Sequence, residues 1–301
     1  MKTLRSLLPL CGFLLLALPV VPAQAQDDVR TIEDTVPLEA DGRVAIDTYK
    51  GSITITTWDR DEVRYEARIE PDDDPDLVAE TEIDVDRSDR SLRLTTNYDD
   101  VRETASRDGL WGMFGSGGSV SLPFVHYTLT LPRTATLDIE DYKSEIDVRD
   151  LQADLTLETY KGEIALEAIE GAVDLETYKG EGTLRDIDGD LVIDTYKGRL
   201  RVERLSGAVE VETYKGDVEV DIAAFTGDCE ADTYKGEITF HVPADVGFDI
   251  DAELGDKADL DSDFPLDNMR HDDDDVRAEV NGGGYEIELD SYKGEIILRS
   301  R

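Results

Sequence analysis

The chain has 301 residues, of which 71 are Asp or Glu and 31 are Lys or Arg, so its formal net charge is −40. A field of this sign repels nucleic acid and anionic membrane surfaces, because phosphate binding depends on Lys and Arg. It suits solubility in a salty habitat or the capture of cations. Hydrophobic residues still make up 40% of the chain, so a folded protein is expected rather than a disordered one.

The first residues have the pattern of a secretory signal peptide. A short positive end precedes an apolar run at 7–21, and Ala23 and Ala25 are the small residues that a signal peptidase needs. We therefore predict a signal peptide at 1–25 and a flexible mature N-terminus at 26–34. The run is shorter than the about 20 residues of a membrane span, so no transmembrane segment is expected in the mature chain. The predicted location is periplasmic, cell-surface or extracellular.

An 18-residue repeat occupies the middle of the chain. Tyr-Lys recurs at 142, 160, 178, 196 and 214, and again at 234 after two extra residues. Within each repeat, two runs alternate apolar and polar residues, which predicts two half-buried strands. One turn falls at the Lys-Gly of each repeat, and a second turn contains Gly171 and its counterparts Gly189, Gly207 and Gly227.

The repeat predicts an all-β parallel β-solenoid, or β-helix, in which each 18-residue unit is one two-strand rung. An antiparallel meander would explain short strands and Gly turns, but not identity at equal offsets. Stacking equal units also buries a continuous core that no single rung could bury. A right-handed coil is expected, because that is the usual hand of parallel crossovers.

The predicted solenoid is a single domain at 35–301. Its predicted parts are less regular strands at 35–70 and 81–96, a Gly- and Ser-rich loop at 102–121, regular rungs at 144–235, an irregular acidic insertion at 244–276 and C-terminal cap strands at 285–299.

The segment GSITITTWDRDEV at 51–63, the strand YTLTLP at 127–132 and the Gly-terminated repeats resemble a bacterial adhesin-like family with β-strand repeats, whose function is largely unknown. The likeness covers roughly residues 35 to 300. It implies a β-helical solenoid, export and no known catalytic residues. This chain differs in having Tyr-Lys-Gly where the family usually has Ser-Gly or Asn-Gly, and its 105–120 loop and 250–280 acidic insertion look particular to it.

The Tyr-Lys pairs are the candidate binding surface. Of nine lysines after the predicted signal peptide, eight follow a tyrosine and only Lys257 does not. In a solenoid the repeated pairs form an outward ladder of six rings with lysines beside it. The predicted ladder consists of Tyr142, Lys143, Tyr160, Lys161, Tyr178, Lys179, Tyr196, Lys197, Tyr214, Lys215, Tyr234 and Lys235, with outlying copies at 49–50 and 292–293.

Two interpretations of the ladder are open. In the structural one, ring stacking contributes about 0.5–1.5 kcal/mol per pair and keeps the rungs in register, while each lysine pairs with an acid such as Glu158, Glu163 or Glu176. In the functional one, the ridge binds a cell-surface polysaccharide or an envelope protein. Sugars stack on aromatic rings, and cations suit uronic or phosphate groups.

A second candidate surface is the glycine loop that carries Trp111 and Phe114. Exposed apolar residues on such a loop dock a partner or a membrane surface, or they fold back over a face of the solenoid. The aspartate-rich runs at 72–75 and 272–275 lack the spacing of a known calcium loop, so solvated charge is expected and no cofactor is predicted.

The sequence carries no recognisable catalytic motif. His126, His241 and His271 lack paired metal-ligand spacing, and there is no nucleophile elbow, phosphate loop or dinucleotide fingerprint. Cys229 is the only cysteine of the predicted mature chain, so no internal disulfide is expected. We therefore predict a non-catalytic scaffold that presents the ladder for binding or assembly. The alternatives are a structural module that assembles with copies of itself and, by fold analogy, a carbohydrate-active β-helix lyase or hydrolase.

Overall fold

The computed structural model describes residues 29–102, 121–272 and 275–301. The described residues form 25 strands and the short helix α1 (Asp76–Glu80). Strands of the N-terminal part are β1 (Arg30–Pro37), β2 (Arg43–Asp47), β3 (Lys50–Trp58), β4 (Glu62–Glu70), β5 (Glu82–Arg87), β6 (Ser91–Asn97), β7 (Phe124–Pro132) and β8 (Thr136–Asp141). Strands of the regular rungs are β9 (Lys143–Leu151), β10 (Leu155–Thr159), β11 (Glu163–Glu170), β12 (Val173–Thr177), β13 (Glu181–Asp188), β14 (Leu191–Thr195), β15 (Arg199–Ser206), β16 (Val209–Thr213), β17 (Asp217–Ala224), β18 (Cys229–Thr233) and β19 (Glu237–Val242). Strands of the C-terminal part are β20 (Phe248–Leu254), β21 (Asp259–Ser262), β22 (Asp267–Asp272), β23 (Asp275–Val280), β24 (Tyr285–Ser291) and β25 (Glu295–Ser300).

Two long sheets form the walls of the molecule, and each regular rung gives one strand to each sheet. Sheet A has 12 strands in the order β1-β4-β7-β3-β9-β11-β13-β15-β17-β19-β25-β21. Sheet B has 13 strands in the order β22-β23-β20-β24-β18-β16-β14-β12-β10-β8-β2-β6-β5. From β9 to β19 all neighbours in both sheets are parallel. The predicted parallel β-solenoid is confirmed.

The core fills the space between the two sheets. In the rung of β11 and β12, Ile164, Leu166, Val173 and Leu175 are buried, whereas the residues between them, Ala165 and Asp174, are exposed. The pairing places each apolar residue over its counterpart 18 residues away, as Leu175 lies over Leu157. The period-2 pattern of one rung therefore becomes continuous apolar columns along the stack.

Near its end, each of the sheet A strands β9, β11, β13 and β15 bends at a residue in the left-handed conformation. Asp150, Ala168, Asp186 and Arg204, spaced 18 residues apart, have φ between 56° and 61°. Each turns the chain so that the next residue faces inward, and Leu151, Ile169, Ile187 and Leu205 are all buried. No glycine marks these positions, so the sequence pattern did not reveal them.

Replacing Ala168 with glycine is expected to stabilise the protein by about 1 kcal/mol, since alanine is strained in the left-handed region and glycine is not. The same substitution at Ala165, an exposed residue of the same strand, is the matched control. It is expected to destabilise by about 0.5–1 kcal/mol, as glycine does in ordinary strands. Urea unfolding of both variants checks the sign, and equal losses at the two positions would contradict the strain argument.

The two ends of the chain depart from the expected layout. Residues from Arg30 form β1, which pairs antiparallel with β4, so the flexible N-terminus expected at 26–34 is wrong from that residue onward. The predicted signal peptide at 1–25 lies outside the described residues and stays a prediction. No helix in the described parts of the chain is long and apolar enough to cross a membrane.

The C-terminal strands are not the outermost part of the stack. β24 pairs with β18 on one side and β20 on the other, and β25 lies between β19 and β21 in the same way. The predicted cap at 285–299 is therefore an internal rung. The acidic segment at 244–276, expected to be irregular, forms the rung of β20 and β21 and the outer strand β22, because Phe248, Ile250 and Ala252 alternate with aspartates and enter the core.

Candidate functional site: the tyrosine-lysine ladder

The Thr-Tyr-Lys-Gly motif forms a tight corner between the two sheets. The hydroxyl of buried Thr177 accepts a hydrogen bond from the backbone N–H of Gly180 at 2.8 Å. The same bond recurs in other rungs, between Thr213 and Gly216, Thr233 and Gly236, and Ser291 and Gly294. A short side chain with an oxygen acceptor suits this position, because it bonds a backbone N–H of the turn; Asp141 does the same for the N–H of Ser144 at 2.7 Å. Holding this residue inward directs the following tyrosine outward.

The tyrosines form one continuous stack that is longer than predicted. Neighbouring ring centroids are 4.5 to 4.9 Å apart, and the ring planes differ by 2° to 12°. The stack contains Tyr49, Tyr142, Tyr160, Tyr178, Tyr196, Tyr214, Tyr234 and Tyr292. It therefore adds the two outlying copies to the six predicted rings.

Ring stacking changes what the ladder offers to a ligand. Each inner ring has both faces covered by its neighbours, and Tyr142, Tyr178 and Tyr214 are only 37% exposed. A ligand that lies along the ladder meets ring edges rather than ring faces. The sugar stacking expected from the sequence has no free face along the side of the ladder.

Five of the ladder lysines lie beside the rings instead of pairing with acids. The Nζ atom of Lys179 is 5.1 Å from the Tyr178 ring centroid, and that of Lys215 is 4.8 Å from Tyr214. Lys197, Lys235 and Lys293 lie at 5.3, 4.9 and 4.3 Å from the rings that precede them. Since neighbouring rings cover the faces of the inner tyrosines, these amines lie at the edges of the stack. The amines keep their hydrogen-bonding capacity for another partner.

Lys50 is the exception among the ladder lysines. Its amine is 2.6 Å from Asp72 and 4.1 Å from the Phe124 ring centroid, and the residue is buried. The hydrogen bond from Lys50 lowers the pKa of the Asp72 carboxyl. Within the described ranges it is the one ladder lysine in a salt bridge. The expected pairing of each lysine with Glu158, Glu163 or Glu176 is therefore not found.

A column of carboxylates runs beside the ladder on the outer face of sheet B. The strand registers place one acid of each rung over the acid of the next, two residues before the ladder tyrosine. The column comprises Asp47, Glu140, Glu158, Glu176, Asp194, Glu212, Asp232, Asp290 and Glu253. Partial burial, and then neighbouring carboxylates such as Glu176, raise the pKa of Glu158. Burial and the adjacent Asp194 do the same to the pKa of Glu212.

The outer face of sheet A has a different charge pattern. Arg185 pairs with Glu203 at 2.8 Å, and Arg201 pairs with Glu219 at 2.6 Å, so cations and anions alternate there. The sheet B side instead presents three parallel stripes: one of carboxylates, one of tyrosine ring edges and one of lysine ammonium groups. We call these three stripes the ladder face.

The sequence also named candidate residues outside the ladder. Trp111 and Phe114 lie outside the described residues, so their docking role stays a prediction. No group of three or more His, Cys, Asp or Glu residues in the described parts is placed to hold a metal ion. Cys229 is buried, and burial raises the pKa of its thiol to about 12.

Two histidines are less isolated than their spacing indicated. His126 Nδ1 lies 2.9 Å from the Ser52 hydroxyl, and its Nε2 lies 3.5 Å from Glu70. Burial and Arg68 lower the pKa of His126. Ser52 sits inside sheet A between β7 and β9, where strand pairing occupies the backbone N–H groups that an oxyanion would need. His241 lies 2.9 Å from Glu219. The partners of both histidines come from other strands, so they could not be predicted from the spacing of residues in the sequence.

The in-register sheets and the aromatic ladder define the class as a β-solenoid repeat protein. The chain belongs to the Toastrack DUF4097 family, whose model matches residues 42–299. This confirms the resemblance to a β-strand-repeat family of unknown function.

Solved structures of bacterial proteins are similar to this chain in fold. A "putative adhesin" from Bacteroides fragilis is 16% identical, covering 90% of this chain and 97% of that one, with a TM-score of 0.35. Another from Parabacteroides distasonis is 11% identical, covering 90% and 96%, with a TM-score of 0.36. A "putative lipid binding protein" from the same species is 12% identical, covering 89% and 96%, with a TM-score of 0.31. No curated protein matches the chain.

Proposed function

We propose that the protein is an exported, non-catalytic, adhesin-like scaffold that binds an extended cell-surface polysaccharide along the ladder face. The observation that carries this proposal is the unbroken row of eight Tyr-Lys pairs, in which seven lysines form no salt bridge within the described residues. Amines that served only to neutralise the acidic body would pair with its carboxylates. These amines are left for a ligand outside the chain.

The stripes of the ladder face suit a polymer of hydroxyl groups. Ammonium and phenol groups donate hydrogen bonds along one line, and carboxylates accept them along a parallel line. Sugar hydroxyls do both, and bonds that involve a charged partner are the stronger ones. Because the same groups recur at every rung, a repeating polymer makes many weak contacts at once, which raises its overall affinity.

Assembly through an end strand is less favoured by the arrangement of the sheets. At three of the four sheet ends the outermost strand is part of an antiparallel pair, β1 with β4, β5 with β6 and β22 with β23. The fourth end is β21, a four-residue strand with two aspartates. Short and charged edge strands discourage pairing with another chain.

Changing Lys161, Lys179, Lys197 and Lys215 to Gln is expected to weaken binding to the recognised polysaccharides on a glycan array at least about tenfold, a change of about 1.4 kcal/mol. The protein used is the chain without residues 1–25. The matched control changes Arg149, Arg185, Arg201 and Arg204 of sheet A to Gln, which alters the net charge equally. Melting curves show whether both variants remain folded. Equal binding by the two variants, or no glycan bound by the unsubstituted protein, would refute the proposal.

A further inference from the structure

The ladder ends differently at its two ends. At the N-terminal end, the edge of the Tyr98 ring lies against Tyr49, with centroids 6.4 Å apart and planes at 78°. The Tyr98 hydroxyl is fixed by a hydrogen bond to the Pro123 carbonyl. At the C-terminal end, the next rung has Gly255 in the position over Tyr292, and its N–H bonds to the Ser291 carbonyl at 2.8 Å. A glycine offers no ring, so the stack stops with the outer face of Tyr292.

The exposure of the last ring agrees with an uncovered face. Tyr292 is 52% exposed, compared with 37% for Tyr142, Tyr178 and Tyr214 inside the stack. The Lys293 amine lies 4.3 Å from the Tyr292 centroid but also 5.8 Å from that of Tyr234. An amine over the outer face would be much farther from Tyr234, so Lys293 stands beside the stack.

Tyr292 and Gly255 both line a depression of about 470 Å³. That volume falls within the range of small-molecule sites. Its wall includes Tyr292 and two cations, Lys293 and Lys257, the latter being the one lysine of residues 26–301 that lies outside the repeated motif. Three carboxylates complete the polar lining: Glu253, Asp256 and Asp290.

We propose that this depression binds one pyranose ring, stacked on the outer face of Tyr292. The ring face of tyrosine is electron-rich, and the C–H groups on one side of a sugar ring carry partial positive charge. Carboxylates around the rim accept hydrogen bonds from the sugar hydroxyls, while Lys257 and Lys293 donate to its oxygens. The inference rests on the proposed function in that it places the end residue of a bound polysaccharide here.

Single sugars test this site separately from the side of the ladder, since one pyranose cannot span the many rungs that a polymer contacts. The probes are the methyl glycosides of glucose, galactose, mannose and N-acetylglucosamine, each added at millimolar concentration to the protein without residues 1–25. Saturation-transfer NMR measures which sugar protons touch the protein. At least one probe is expected to bind, with its signal arising from one face of the ring.

Three variants test whether Tyr292 is the ring on which the sugar stacks. Tyr292→Ile is expected to abolish the signal, because the branched side chain covers Tyr234 but offers no flat ring. Tyr292→Phe is expected to keep it. Tyr160→Ile, which replaces a ring inside the stack, is also expected to keep it. The inference is overturned if no probe binds, if Tyr292→Ile binds like the unsubstituted protein, or if a folded Tyr160→Ile variant loses the signal equally. Loss of polymer binding in the quadruple lysine variant, with the monosaccharide signal intact, separates the two proposals.

Discussion

Replacing Gly198 with alanine is expected to destabilise the protein by at least about 3 kcal/mol. Gly198 is the glycine of one Thr-Tyr-Lys-Gly corner, and its φ is +122°. A Cβ atom there would lie 1.9 Å from the carbonyl oxygen of Gly180 in the preceding rung. Alanine at this position would therefore suffer backbone strain and would also clash with the backbone of the preceding rung. The free energy of unfolding from urea titration, or the loss of soluble folded protein, measures the effect.

Gly282 is the matched control for this substitution. Its φ of +92° is also unfavourable for alanine, but no atom lies within 4 Å of the position that a Cβ would take. Gly282→Ala is expected to cost only about 1 kcal/mol, from strain alone. Similar losses at the two positions would show that close stacking of rungs at the ladder corner contributes little.

The carboxylate column predicts that mild acid stabilises the fold. Six carboxyl groups of the described residues have a raised pKa, chiefly through burial and, for most of them, also through neighbouring carboxylates: Asp47, Asp141, Glu158, Glu212, Glu230 and Asp232. A raised pKa means that the folded state binds these protons more tightly than the unfolded state does. Stability therefore rises as the pH falls from 7 towards the ordinary values of 3.8 for Asp and 4.5 for Glu, and falls again as the pH rises through the folded-state pKa values.

Few groups oppose this trend in the same pH window. The lowered pKa of His126 favours unfolding as the pH drops below 6.5. The lowered pKa values of Asp72, Asp186 and Glu203 have an effect only below the ordinary carboxyl values. The melting temperature is thus expected to rise as the pH falls from 7 towards 5.

Melting curves at low ionic strength measure the effect of pH. A variant with Glu158, Glu212 and Glu230 changed to Gln is expected to melt higher at pH 7 and to gain less on acidification, since it lacks three of the groups that take up protons. Changing Glu163, Glu181 and Glu237 of sheet A to Gln is the control, and it should keep the full pH response. A melting temperature that falls steadily from pH 7 to pH 5 would contradict the predicted coupling.

The repeating part of the fold was predictable from the sequence because equal spacing leaves few choices. Tyr-Lys at intervals of 18, with period-2 alternation between, predicts two strands per rung and a ladder at the corner. Tyr49 and Tyr292 were visible as outlying copies. Their place in the stack was not predictable, because β3 pairs with β9, placing Lys50 opposite Lys143, although a long stretch of the chain separates the two strands. Register between distant segments depends on packing that no local pattern encodes.

The acidic features were harder to interpret, since acids are abundant everywhere in the chain. An acid stands two residues before the tyrosine in every regular rung, as at Glu158 and Glu176. That regular offset was the available signal for the carboxylate column. In β20 the aspartates between Phe248 and Ala252 made the alternation of apolar and polar residues hard to recognise, although the apolar residues from Phe248 to Ala252 are all buried in the core. The left-handed corner at Ala168 had no signal, because alanine seldom adopts that conformation.

The rung of β24 and β25 comes last in the described chain but lies inside the stack, and this position bears on the order in which the strands can assemble. A chain is synthesised from its N-terminus, and rungs up to β19 can be added in that order. The next place in the stack is filled by β24 and β25, which join β18 and β19 to β20 and β21. Before β24 and β25 are in place, β20 can pair with β23, but no strand joins β20 and β21 to the rungs that end at β19. The rung of β24 and β25 is therefore a closing element, and the two sheets become continuous only when it is in place.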